Sequence, residues 1–254
     1  IRDTELATPH RYSLLPTDPA AHLYEDRLTV ADPDSQGQVF AMPAWIPGSY
    51  MIRDYAKHVV TARAESDGRD VALKKLDKSR WQAAVTNREL TLVLEVFALD
   101  ESVRGAHLDL THAFFNGTCV FPAVVGQEDT PCKLEIMEPG KPVGKNWRVA
   151  TSMSRNGAEK YGFGSYIADD YAELIDHPVE VGELSIGEFE VRGVPHAIAI
   201  RGKTRADMAR LCHDLHTICD HHMSFLGKPG DLDRYLFLLN APGSGYGGLE
   251  HRWS

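Results

Sequence analysis

The sequence has little cysteine and no long hydrophobic run. Its 254 residues hold four cysteines and no Cys-x-x-Cys pair, too few for a disulfide scaffold, so we expect free thiols in a reducing compartment. No stretch approaches the ~20 consecutive apolar residues of a membrane-spanning helix, and no secretory signal is recognisable. These absences predict a cytoplasmic protein without a membrane partner. Because the chain begins at Ile1 rather than Met, the removal of a signal peptide stays an open alternative.

The sequence also lacks a basic cluster. It holds 27 Lys and Arg against 36 Asp and Glu, which gives a formal net charge of -9. A protein that binds nucleic-acid phosphates needs a basic patch, so no nucleic-acid partner is expected. The apolar fraction of 43% and the charged fraction of 25% are typical of a globular protein with a sizeable core. The length predicts one large domain or two modest ones.

Residues 1–180 are predicted to form an N-terminal β-domain. Leu90, Leu92, Leu94 and Val96 alternate with other residues in the period of two that is typical of a strand. Further short apolar runs occur at 28–30, 39–42, 134–136 and 147–149, and turn-forming pairs separate them. Many short strands with frequent turns predict a mostly β fold, either a sandwich or a saddle-like sheet.

Residues 181–254 are predicted to form a smaller α+β part. Glu188–Val191 and His196–Ile200 are expected to pair as a hairpin around Gly193. A long helix is predicted from Thr204 to Leu226, with Thr204 and Asp207 as a capping box at its N-terminus. A division of the chain near residue 180 follows from this change in pattern.

One face of the predicted helix is apolar. Its members recur at steps of three and four, which predicts a buried stripe: Met208, Leu211, Cys212, Leu215, Cys219, His222 and Leu226. His222 is therefore predicted to be a core histidine. His213, His216 and Asp220 share another face and could hold a metal ion, but a solvent-facing polar surface is the preferred interpretation. Residues 235–239 form a continuous apolar run, which predicts a strand buried on both faces.

The glycine cluster after that strand has several interpretations. Gly243, Gly245 and Gly248 satisfy a GxGxxG pattern, which would bind a dinucleotide only if a helix began there. Ser244 resembles the nucleophile of a serine hydrolase, but Pro242 stands where that motif needs glycine. A flexible loop is a third interpretation. The segment 247–251, which includes the last of these glycines, favours a different function.

The segment Gly247-Gly248-Leu249-Glu250-His251 resembles the exopeptidase strand of the aminopeptidase N superfamily, whose pattern is Gly-Ala-Met-Glu-Asn. Its histidine agrees with the Gly-Gly-Leu-Glu-His form of the glycyl aminopeptidase family. Further segments resemble that family in the same order: 45–50 followed by 53–54, 112–118, and 171–180. Phe121-Pro122 followed by Asp129-Thr130-Pro131 and Lys133 is similar to a stretch of aminopeptidase N N-terminal domains. The chain is thus similar to the front part of a glycyl aminopeptidase from Trp45 to His251.

This resemblance implies an N-terminal β-domain followed by the start of a thermolysin-like catalytic domain, with a PDZ-like module later in many members. It implies a peptide with a free N-terminus as the partner, with Gly or Ala as the residue removed. A carboxylate at position 250 would bind the α-ammonium group through charge-assisted hydrogen bonds. Gly247 and Gly248 would offer their backbone to an extended peptide.

Three further residues are candidates for the substrate site. Tyr50 and Arg53 would form a wall of the pocket, and Asn116 would be a second contact for the amine. The alternative for the segment 45–54 is a rigid corner that Pro47-Gly48 turns, with Arg53 paired to Asp54 or to a backbone carbonyl. In that case the cluster is structural.

The zinc motif of the family is not in this sequence. Zinc would be held by a His-Glu-x-x-His helix and a further Glu, which acidify a water for attack on the peptide bond. None of the 12 histidines begins that motif. We therefore predict no catalytic residue, no metal ligand and no bound zinc within these residues, and a fragment of a zinc aminopeptidase. The alternative is a non-catalytic β-domain that binds peptides or proteins.

Overall fold

The computed structural model describes residues 8–140, 143, 146–202, 204–227, 230, 232–241 and 247–254. The strands in chain order are β1 (His10–Asp18), β2 (Leu23–Val30), β3 (Val39–Ala41), β4 (Val59–Ser66), β5 (Arg69–Val71), β6 (Leu73–Lys75), β7 (Arg80–Ala83), β8 (Leu90–Phe97), β9 (Ala106–Leu108), β10 (His112–Phe115), β11 (Ala123–Val124), β12 (Cys132–Ile136), β13 (Arg148–Ala150), β14 (Ser154–Arg155), β15 (Gly164–Ala168), β16 (Val179–Gly182), β17 (Leu184–Val191), β18 (Val194–Arg201) and β19 (Tyr235–Asn240). The helices are a 3-10 turn at Tyr55–His58, α1 (Gly117–Val120), α2 (Tyr171–Ile175) and α3 (Met208–Leu226).

The N-terminal part is built on an eight-stranded sheet in the order β14-β15-β12-β1-β2-β8-β4-β5. β1 and β12 are parallel, and the other neighbours pair in antiparallel register. The predicted alternation in β8 is confirmed, because Leu90, Leu92, Leu94 and Val96 all point into one large core. Two four-stranded sheets, β13-β16-β10-β9 and β11-β3-β7-β6, accompany the large sheet. The mostly β fold is therefore confirmed.

A separate three-stranded sheet, β17-β18-β19, carries the long helix. The hairpin predicted around Gly193 is confirmed as β17 and β18, and Gly193 has the positive φ of +79° that its turn requires. Gly187 of β17 lies directly under α3, because a side chain there would approach Cys212 and Met208 within 3 Å. β16, which contains residue 180, pairs with β10 and β13, and the new sheet starts at Leu184. The division at 180 stays a prediction.

The start of the long helix was predicted wrongly. α3 begins at Met208, and its cap is Asp207, whose side chain accepts a hydrogen bond from the Arg210 amide at 3.1 Å. The hydroxyl of Thr204 instead accepts from the Ala206 amide, which makes a local turn before the helix. The predicted capping box is therefore replaced by a single aspartate cap.

Two predictions of deep burial are also wrong. Among the residues of α3 only Met223 is buried, and His222 is exposed rather than a core histidine. In β19 only Leu236 is buried, because that strand is the edge of its described sheet. β19 and the C-terminal part of the apolar stripe of α3, from Leu215 to Leu226, line a cavity instead of a closed core.

Candidate functional site

A cavity of about 780 Å³ lies between the N-terminal part and the α3 sheet. On the N-terminal side its lining includes Glu101, Val103, His107, His112, Phe114 and Glu180. On the other side α3 and β19 contribute mainly apolar groups, including Leu215, Ile218, Met223, Leu236 and Leu238. Residues 247–251 and Ser254 also line it. The cavity thus combines an apolar wall with a wall of ionisable side chains, as ligand sites often do.

Glu250 lies at this cavity and is exposed to solvent. Its carboxylate forms no ion pair with any residue that the structure describes. Tyr235 is close to it: burial raises the pKa of that phenol, and the charge of Glu250 raises it further. A carboxylate that faces a pocket without a partner is available to a cationic ligand.

Gly247 and Gly248 also line the cavity, and both are exposed. A side chain at Gly248 would meet no atom within 4 Å, and one at Gly247 would meet only Val103 Cγ2, at 3.9 Å. Contrary to the prediction of a strand, residues 247–250 belong to none, because their backbone pairs with no neighbour among the described residues. Backbone donors and acceptors at this edge therefore remain available.

The segment that follows Glu250 is tied to the end of α2. His251 Nδ1 lies 3.0 Å from Asp176 Oδ1, and the imidazole is buried. The Ser152 hydroxyl contacts His177 Nδ1 at 2.8 Å and donates to the Arg252 carbonyl at 3.3 Å. These contacts fix the chain immediately after Glu250 to the N-terminal part.

A second contact joins the site to the corner at 45–54. Gly48 has φ +77°, and its missing side chain would lie 2.9 Å from Leu249 Cδ1 and 3.0 Å from the Glu250 carbonyl oxygen. Leu249 packs against the main core. The corner and the site segment are therefore in direct contact, as a shared substrate site requires.

The side chains proposed for that corner lie outside the cavity lining. Tyr50 is fully exposed, and Arg53 is half-buried. The predicted pairing of Arg53 with Asp54 is wrong, because Asp54 forms its ion pair with Lys78 at 2.8 Å. The Arg53 amide donates to the Ala44 carbonyl at 2.6 Å, while its Nε is buried without a hydrogen bond.

Asn116 has a structural contact. Its side chain is completely buried and donates to the carbonyls of Val103, at 3.1 Å, and Gly105, at 2.9 Å. Asn116 therefore fixes the loop that carries Val103 to the cavity wall. Its predicted contact with a substrate amine stays untested, and the side chain has no exposed surface for it in this structure.

Sequence reasoning missed the ionisable wall of the cavity. His107 on β9 and His112 at the start of β10 stack their rings with centroids 4.4 Å apart. Glu180 on β16 lies 3.7 Å from Arg201 Nε, and Arg201 also approaches Glu101 at 4.0 Å. The available signal in the sequence was two histidines five positions apart, His107 and His112.

Burial shifts the pKa values of this wall. Desolvation raises the pKa of Glu180 to about 8, although the charge of Arg201 opposes it. Desolvation, with the charge of Arg201, lowers the pKa of His112 to about 4. Burial acts to raise the pKa of Asp109, but hydrogen bonds from Thr111 and the His112 amide outweigh it and lower the value. Burial thus favours the neutral forms of both Glu180 and His112 by shifting their pKa values in opposite directions.

These residues do not fit the zinc site of thermolysin-like peptidases. That site needs a His-Glu-x-x-His helix, and α3 carries no such motif. No other described helix carries it either.

The mostly β architecture matches the N-terminal domain fold of aminopeptidase N-like proteins. Residues 11–183 match the family model of the Peptidase M61 N-terminal domain. The chain therefore belongs to the peptidase M61 family. A comparison with curated proteins finds no match.

Two solved structures are similar to this chain. An aminopeptidase N family protein from Idiomarina loihiensis superimposes with a TM-score of 0.92 at 39% identity, over 96% of this chain. A mutant M1 zinc metallopeptidase from Deinococcus radiodurans matches 91% of this chain and 56% of its own, with a TM-score of 0.50 at 10% identity. That likeness shows the fold alone. The chain spans 41% of the Idiomarina protein, less than half of its length.

Proposed function

We propose that this chain is the front part of a zinc-dependent aminopeptidase of the glycyl aminopeptidase type, in which Glu250 binds the free amino group of a peptide. One observation carries the proposal. The Glu250 carboxylate is exposed at a cavity of about 780 Å³ and pairs with no cation among the described residues. A ligand ammonium would supply the missing positive charge.

The surroundings of Glu250 support an extended peptide as the ligand. The backbone at Gly247 and Gly248 is open, so a peptide could pair with it edge to edge. The contact between His251 Nδ1 and Asp176 Oδ1, at 3.0 Å, holds the residue that follows Glu250 in place. A site fixed in this way loses little entropy when the peptide binds.

Three other residues have supporting roles in this proposal. Tyr50 and Arg53 belong to the corner that contacts the Glu250 backbone through Gly48, and they would border the peptide from outside the cavity. Asn116 holds Val103 against Gly247, and this position supports an indirect role in the site.

Hydrolysis would need residues beyond these 254. The zinc of such an enzyme would supply an activated water at the peptide carbonyl. The residues of this chain would bind and orient the peptide so that its first carbonyl faces that water. A PDZ-like module, a preference for Gly or Ala and a cytoplasmic location belong to the same proposal.

Kinetics of the complete zinc-loaded protein would test the role of Glu250. Glu250→Gln keeps the shape but removes the charge, and loss of a charged hydrogen bond of about 1.5–3 kcal/mol should lower kcat/KM roughly 10- to 100-fold on free-amine peptides. Glu138→Gln is the matched control, because Glu138 is exposed and lies away from the cavity lining. N-acetylated peptides should be poor substrates for all three proteins. Equal kinetics for Glu250→Gln and Glu138→Gln would refute the assignment.

The alternative is a domain that binds peptides without chemistry, which the missing zinc motif favours. The same groove would serve both functions. Binding of free-amine peptides that survive intact after long incubation with the complete zinc-loaded protein would support the alternative over the enzyme.

A further inference from the structure

The cavity wall opposite α3 holds a cluster that the proposed function does not use. Glu101, His107 and His112 each offer one ligand atom, and these atoms lie within 4.8 Å of one another. Within the described part of the chain, no other group of three such side chains meets this criterion. We propose that these three side chains form a binding site for a divalent metal ion such as Zn²⁺.

The fold places the two histidines together. β9 and β10 pair in antiparallel register with His107 opposite Phe114. His112 lies two residues before Phe114, so His107 and His112 are diagonal neighbours on one face of the sheet. Both side chains line the cavity, and their relative exposures are only 4% and 2%. Glu101 approaches from the loop after β8, with its Oε1 4.0 Å from His107 Nε2.

The poorly satisfied imidazole of His107 is the observation that points to a ligand. Both ring nitrogens of His107 are buried without a hydrogen-bond partner in the described structure, although Nε2 lies 3.3 Å from Asp109 Oδ2. Leaving such a group unsatisfied costs about 1–3 kcal/mol. A metal ion bound to one of these nitrogens would remove that cost.

Asp109 bridges the two histidines. Its Oδ2 lies 3.3 Å from His107 Nε2, the nitrogen next to Glu101, so a metal ion at that nitrogen would take the place of this carboxylate oxygen. At His112 it has a supporting position instead. Its Oδ1 lies 3.3 Å from His112 Nδ1, and it is held by the amides of Thr111 and His112. A carboxylate at Nδ1 orients the imidazole and leaves Nε2 for a metal, as in many zinc sites. The order of residues is therefore that of a ligand with its supporting group.

Binding requires the side chains to move. Because the two imidazole rings lie nearly parallel, at 17°, one ring must turn to aim a nitrogen at a shared ion. Tetrahedral ligands at the ~2.1 Å bond lengths of zinc lie about 3.4 Å apart, so the side chains must close by ~1 Å. Glu101 is exposed and can move, and it would exchange Arg201 for the metal. Arg201 keeps Glu180 and Asn240 as partners. Two imidazoles and one carboxylate suit Zn²⁺ and similar ions, with the remaining position open to the cavity.

The site differs from the peptidase zinc centre and does not depend on the proposed function. Titration of the tag-free 254-residue chain with Zn²⁺ by calorimetry, and with Co²⁺ by visible absorption, would test it. One ion per chain is expected, with the absorption bands of imidazole-bound Co²⁺. Glu101→Gln, an exposed change that leaves the core intact, should weaken binding at least about 10-fold, and His112→Asn should abolish it.

The control is the double substitution His213→Gln with His216→Gln, on the exposed face of α3. It should leave binding unchanged. Circular dichroism identifies any variant that fails to fold, and Glu101→Gln then decides alone. The proposal is overturned if Zn²⁺ fails to bind, if Glu101→Gln binds as tightly as the parent chain, or if the α3 control removes the bound ion.

Discussion

Gly48 gives a direct test of how the N-terminal corner holds the site segment. Its φ of +77° is a left-handed conformation, which costs an alanine about 1–2 kcal/mol. In Gly48→Ala the new methyl would also lie 2.9 Å from Leu249 Cδ1 and 3.0 Å from the Glu250 carbonyl oxygen. Such overpacking costs about 1–3 kcal/mol. The total expected loss in the free energy of unfolding is therefore about 2–5 kcal/mol.

Gly68 supplies a matched control. It has nearly the same backbone conformation, with φ +71°, but a side chain there would meet nothing within 4 Å. Gly68→Ala should therefore lose only the conformational part, about 1–2 kcal/mol. The difference of about 1–3 kcal/mol between the two variants measures the contact with the site segment.

Urea unfolding of both variants gives these free energies by linear extrapolation. Hydrogen exchange should locate the effect, because faster exchange is expected at Leu249, Glu250 and His251 in Gly48→Ala only. Under the proposed role of Glu250, the same variant of the complete protein should raise KM for free-amine peptides, since Glu250 is displaced. Equal destabilisation by Gly48→Ala and Gly68→Ala, with unchanged exchange near Glu250, would refute the contact.

Two further predictions concern stability. Asp26 is fully buried, neither carboxylate oxygen has a hydrogen-bond partner among the described residues, and desolvation raises its pKa well above the usual value. The stability that goes with the protonated form is therefore lost as pH rises above about 4. Asp26→Asn should remove most of that loss, measured as urea midpoints from pH 4 to pH 8. Parallel pH profiles for the parent chain and the variant would contradict this. Asp176→Ala should destabilise the chain by about 1–3 kcal/mol and speed hydrogen exchange around His251. The control Asp129→Ala, at an exposed position, should do neither. Equal exchange in the two variants would show that the contact between Asp176 and His251 is weak.

The open face of α3 connects the fold to the proposed function. A helix whose apolar side is only half-buried is unusual for a finished core. Here that side lines the cavity that also contains Glu250 and the histidine wall. Ligand binding and metal binding would both take place on this surface.

Local patterns determined much of the fold. The alternation of leucines predicted β8 because side chains of a strand point to opposite faces, and Gly193 marked the β17–β18 hairpin because its turn needs a positive φ. The motif at 247–251 predicted the candidate amine site from sequence, because its residues are contiguous. The start of α3 was missed because Thr204 and Asp207 are both good caps, and only the backbone path chooses between them.

Contacts between distant residues were decided by the tertiary structure alone. The sequence contains no signal that Gly48 touches Glu250, that Asp176 holds His251, or that His107 and His112 face the same cavity as α3. Periodicity shows which face of an element is apolar, but it does not show whether another element covers that face. The apolar stripe of α3 was therefore predicted correctly as a pattern and wrongly as a buried surface, because burial depends on how separate sheets pack together.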